Sequence, residues 1–85
     1  MNDIVSFLEE ELSKIYEAQT INGISNFTTD DAIVRVSYVE GLGGIIVEYA
    51  ENQSDAENNR YEDGDVHKGD DKEQILKEIL EEIKG

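Results

Sequence analysis

The sequence predicts an α+β domain: an N-terminal helix, an antiparallel hairpin extended to a three-stranded meander, and a C-terminal helix, both helices lying on one sheet face. Three observations predict it. Apolar residues recur at helical spacing near both ends of the chain, two β-branched runs of period two lie in the middle, and a glycine-rich link joins those runs.

The first helix is read from DIVSFLEEELSKIYEA, residues 3–18, where Val5, Leu8, Leu12 and Ile15 fall three, four and three apart. Ile4 and Tyr16 widen the stripe, and Phe7 sits at its edge. Glu9, Glu10, Lys14 and Glu17 take the wet side, and Asn2 or Asp3 is placed to accept from the free amides of the first turn. Residues 20–31, TINGISNFTTDD, carry a turn signal at Asn22-Gly23 and apolar residues at Ile21, Ile24 and Phe27, so they read as a connector or a short irregular strand. AIVRVSYVE, 32–40, alternates Ala32, Val34, Val36 and Tyr38 with Ile33, Arg35, Ser37 and Val39, the pattern of a strand with one buried face. After Gly41-Leu42-Gly43-Gly44, IIVEYAE repeats it, with Ile45, Val47 and Tyr49 on one side and Ile46, Glu48 and Ala50 on the other.

Residues 51–73 hold nine carboxylates, one histidine and almost nothing apolar. Within them 51–59 reads as a mobile loop, and RYEDGDVHK, 60–68, as an edge strand or short hairpin resting on Tyr61 and Val66. The last helix, 70–84, sets Asp70 three residues before Glu73, the spacing of a capping box, and lines up Ile75, Leu76, Ile79, Leu80 and Ile83.

All 85 residues read as one small domain, which buries about 60 to 65% of the surface its unfolded chain exposes. There is no cysteine, so neither a disulfide nor a zinc-thiolate site supports the fold, and stability rests on the core or on a partner. The start of the chain has no basic segment followed by an apolar run, which argues against a secretory signal and a membrane span and sets a cytoplasmic expectation. On that expectation the glycosylation-like triplets at Asn26 and Asn52 are coincidental.

Charge is the outlying property, with 21 acids against 7 bases and a net charge of −14. Such a surface repels nucleic acid and anionic lipid. Asp63-Gly64-Asp65 invites a calcium loop, but with Gly64 at the sixth position Tyr61 falls on the third and Asp70 on the twelfth, where an acid and a bidentate glutamate are needed. The pattern fails. Asp63, Asp65 and His67 alternate, so an extended strand would project all three from one face as a weak divalent-metal site, although no second histidine or cysteine completes it. A lone histidine among acids is more often a surface residue. Without a second histidine or a thiol no nucleophilic triad is apparent, and the chain is expected not to be an enzyme and to need no cofactor. The Gly41–Gly44 link leads into a strand rather than a helix, so it is a hairpin connection and not a phosphate loop.

B-DNA carries one phosphate charge per ~1.7 Å of axis, so fourteen net charges correspond to about 24 Å, or about seven base pairs. A compact chain of this length is about 30 Å across, so its charge density matches that of the duplex. Acidity also serves plain solubility, and a charge run is usually a solvated face.

The acidic first helix with Glu9, Glu10 and Glu11, the hairpin of AIVRVSYVE and IIVEYAE, the acid-rich loop, and the lack of cysteine and tryptophan together resemble the small phage-encoded inhibitors that imitate DNA, the class of anti-CRISPR proteins and the uracil-DNA glycosylase inhibitor. The resemblance is one of class and carries no residue across. It implies a stoichiometric inhibitor of a basic, nucleic-acid-binding protein, with Asp55, Glu57, Glu62, Asp63, Asp65, Asp70 and Asp71 as contact surface. The alternatives are a housekeeping domain that dimerises or docks through an apolar patch of Ile33, Val39 and Ile46 on the second sheet face, or the weak metal binder.

Overall fold

A computed structural model describes residues 3–84. The proposed cap at Asn2 lies outside the described residues. The order is α1 (Asp3–Ser13), β1 (Glu17–Ile21), β2 (Ile24–Thr28), β3 (Ile33–Val39), β4 (Gly44–Ala50), α2 (Gln53–Glu57), β5 (Glu62–Lys68) and α3 (Lys72–Lys84). The class is α+β as the sequence predicts, but the sheet has five strands rather than three. They form an antiparallel meander in chain order.

The two additional strands come from the end of the predicted first helix and from the predicted connector. α1 stops at Ser13, after burying Leu8 and Leu12 completely, and the chain turns through bonds from the Ile15 and Tyr16 amides to the Leu12 carbonyl, of 3.0 and 2.9 Å. Ile15, read as part of the apolar stripe, is 53% exposed. What competes with the last helical turn is a hairpin. Asn22 and Gly23 have φ of +53° and +79°, the positive pair that a two-residue type I′ turn requires, and Glu17 to Ile21 pair in register with Thr28 to Ile24. Thr29 then shapes the link to β3, its hydroxyl oxygen accepting from the Asp31 and Ala32 amides.

β3 and β4 pair along all seven residues, and the alternation in sequence becomes two faces. Val34, Val36, Ile45 and Val47 meet Leu8 and Leu12 of α1, Ile75 and Ile79 of α3, and Phe27 of β2 in the main core. Each fully buried leucine or isoleucine contributes about 1.5–3 kcal/mol. Both long helices thus serve one face, as predicted.

The second face is partly covered. The stretch expected to be a mobile loop forms α2, capped by Asn52, whose side chain accepts from the Asp55 amide at 2.9 Å. Ala56 of this helix seals a smaller cluster with Ile21, Ile33 and Ala50, against which Tyr61 packs. Paired Gln19 and Gln53 side chains, and the Asn22 amide donating to the Glu57 carbonyl, tie α2 across to the β1–β2 hairpin. At α3 the cap is Asp71 rather than Asp70: its Oδ1 accepts from the Gln74 amide at 3.2 Å, while Gln74 turns its own side chain to Glu78. The reciprocal capping box is therefore absent.

Candidate functional site

β5 is the last strand of the meander and so leaves one side open. Its sequence is EDGDVHK, and Glu62, Asp63 and Asp65 are exposed along it. Seven residues of strand span ~20 Å. Glu51 and Asp55 share a surface hollow with Arg60, Tyr61 and Glu62 beside the start of the strand, and Asp70 follows its end. Among the described residues, no lysine or arginine comes within ion-pair distance of any of these acids.

The seven acids taken as one contact surface therefore divide. Glu62, Asp63 and Asp65 form a continuous edge, with Asp55 near one end and Asp70 at the other. Glu57 is held toward the first hairpin, its carboxylate accepting from Gln53 and its carbonyl from Asn22. Asp71 is committed to capping α3.

The strand does not project Asp63, Asp65 and His67 from one face. Asp63 pairs with Glu48, and His67 pairs with Ile45, residues of opposite faces of β4, because the register slips between Ile46 and Glu48. A β-bulge inserts one extra residue there, and alternation cannot survive it. Gly64 permits the close approach: a β-carbon would lie 2.6 Å from the Tyr49 ring and 2.8 Å from the Val47 carbonyl oxygen. Among the described residues no group of three histidine, cysteine or acidic side chains is placed to hold a metal ion.

His67 is instead buried beneath α3. Its Nε2 lies 2.6 Å from Glu82 Oε1 and its Nδ1 3.2 Å from Glu78 Oε1. Burial alone would depress its pKa, but the hydrogen bonds to Glu82 and Glu78 outweigh burial and raise it above the ordinary histidine value. The Gln74 amide and then His67 hold Glu78 below the usual carboxylate range. Glu82 Oε2 accepts from the Tyr49 hydroxyl at 2.5 Å and from the Asp65 amide at 3.2 Å. Burial, reinforced by Glu82, pushes the Tyr49 hydroxyl well up, so it remains a donor. This network clamps β5 to α3 and fixes the acidic edge. Glu78, Glu82 and Tyr49 were not singled out from sequence, although Glu78 and Glu82 are four apart and share a helix face.

On the second face the predicted patch is broken up. Ile33 is only 7% exposed, under α2, while Val39 and Ile46 are half-buried. Between them Arg35 forks onto Glu48 at 3.0 and 3.4 Å, and Ser37 donates to the same carboxylate. Arg35 also lies 3.7 Å above the Tyr61 ring, and the Tyr61 hydroxyl donates to the buried Asn26. A satisfied polar network thus occupies the middle of this face.

Comparison with known protein families, curated proteins and solved structures finds no match to the chain. No helix among the described residues is long and apolar enough to cross a membrane.

Proposed function

We propose that this protein is a non-enzymatic inhibitor, of the kind phages and mobile elements use, that blocks a basic nucleic-acid-binding protein by presenting the β5 edge in place of DNA. The observation that carries this reading is the unneutralised run of Glu62, Asp63 and Asp65 on an open strand, flanked by Glu51, Asp55 and Asp70. A strand advances ~3.4 Å per residue, close to the ~3.4 Å of axis per phosphate along one strand of B-DNA. Glu62, Asp63 and Asp65 thus set three carboxylates on about 10 Å of strand, a length over which one strand of B-DNA carries about three to four phosphates. The β5–α3 clamp holds them in place before a partner arrives, which lowers the ordering cost of binding.

The whole molecule supports the same reading. Its longest extent is 33 Å and its net charge −14, so a basic DNA-binding groove meets an object of duplex-like charge density. Acids on an edge strand also discourage pairing with another sheet, a role that predicts no partner at all.

The two roles separate in a capture experiment from bacterial lysate, washed through increasing salt. Wild-type protein is expected to retain a basic nucleic-acid-binding protein at low salt and release it at moderate salt. Asp63→Lys with Asp65→Lys is expected to weaken capture at least tenfold while leaving the fold intact, since both side chains are exposed. Equal capture by wild type and the charge-reversed variant contradicts the reading.

A further inference from the structure

α3 carries a second stripe, turned away from Ile75 and Ile79. Glu73, Lys77, Glu81 and Lys84 border a groove of about 510 Å³ whose floor includes Leu76 and Leu80, and Phe7 and Glu11 of α1 close its other wall. None of those four charged side chains makes an ion pair within the chain, among the described residues. Their signs alternate along the helix: negative, positive, negative, positive. Reversing the direction of the helix inverts that order, so the stripe is complementary to itself in the antiparallel sense only.

We propose that the groove is filled by a second copy of this chain, α3 lying antiparallel against α3 about a two-fold axis near Ile79. In that register Glu73 faces Lys84 of the second copy, Lys77 faces its Glu81, and Leu76 meets its Leu80. The three pairings share a centre to within one residue, ~1.5 Å of helix. A parallel arrangement sets like charges opposite one another and is disfavoured. The interface is isologous, as a two-fold axis requires. With Glu11, which is ion-paired to Lys14, the charges bordering the groove sum to only −1 on a chain whose net charge is −14, so two acidic copies approach here with little repulsion.

Size limits the affinity. α3 is ~20 Å long, and with α1 packed ~8–10 Å away the face offers roughly 400 Å² per copy. About 800 Å² in total is at the low end for a specific interface, the size of a weak, concentration-dependent association.

Sedimentation equilibrium from about 5 μM to about 1 mM protein, at ~0.15 M salt where the Debye length is ~8 Å, tests this. The mass is expected to rise from 9.6 kDa toward twice that value across the range. Lys77→Glu sets an acid opposite Glu81 of the other copy, at both of the symmetry-related pairs, and is expected to raise the dissociation constant about tenfold or more. Adding Glu81→Lys to that variant reverses both partners of the pair and is expected to restore dimerisation, with circular dichroism recording that each variant keeps its helices. A monomer mass at every concentration overturns the proposal. So does a dimer indifferent to Lys77→Glu, or one that the double exchange fails to restore.

Discussion

Both ring nitrogens of His67 meet carboxylate oxygens, and an imidazole satisfies two acceptors only when both nitrogens carry protons. The folded state therefore favours the cation, and the pKa lies above the ordinary histidine value. A raised pKa stabilises the fold fully below the unfolded value near 6.5, and that contribution is lost as pH rises through the folded value. His67 is the only histidine, so its titration dominates the side-chain changes between about pH 6 and pH 8. Wild-type protein is expected to melt at a lower temperature at pH 8 than at pH 6. His67→Gln is expected to cost about 1.5–3 kcal/mol at pH 6, the worth of a hydrogen bond to a charged group, and to flatten that pH dependence. Thermal melts of the two proteins at both pH values check this; an unchanged pH slope in the variant contradicts it.

At the scale of the element, the cap of α3 gives a direct comparison between neighbours. Asp71→Ala removes the acceptor for the Gln74 amide and is expected to cost about 1 kcal/mol, while Asp70→Ala next to it is expected to cost less than about 0.5 kcal/mol. Equal losses in urea melts would contradict the assignment of the cap to Asp71, and a larger loss at Asp70 would return it to the position that sequence spacing suggests. That one-residue displacement illustrates what was legible. The Ile75 and Ile79 stripe and the alternation of β3 and β4 follow directly from side-chain periodicity, and the structure buries those residues. The β1–β2 hairpin was signalled by Asn22-Gly23, but EAQTI and ISNFT are too polar and too short to alternate clearly, while Ile15 and Tyr16 extend a helical stripe that the chain leaves at Ser13. α2 escaped notice because its single buried residue is Ala56. Of the candidate site, the acids of β5 were visible as composition, but their division between faces was not. That division depends on a bulge opposite Val47, which arises from tertiary packing around Gly64 and has no local periodic signature.

Across the whole molecule the charge is unevenly disposed. Arg35 is spent on Glu48 and Lys14 on Glu11, and Lys72, Lys77 and Lys84 lie on α3, while Arg60 just before β5 and Lys68 at its end make no ion pair with the acids of the edge among the described residues. Self-repulsion on this scale destabilises a small domain, and the two long helices on one sheet face supply the core that withstands it. The most direct test of the central claim, that the β5 edge stands in for DNA, is competitive elution: protein captured from bacterial lysate on immobilised wild type is challenged with a short DNA duplex at constant ionic strength, and the eluate is read by mass spectrometry. The account predicts that the duplex releases a basic nucleic-acid-binding protein that an equal mass of neutral polymer leaves bound. A captured partner that remains bound in saturating duplex, or the capture of no partner, would contradict it.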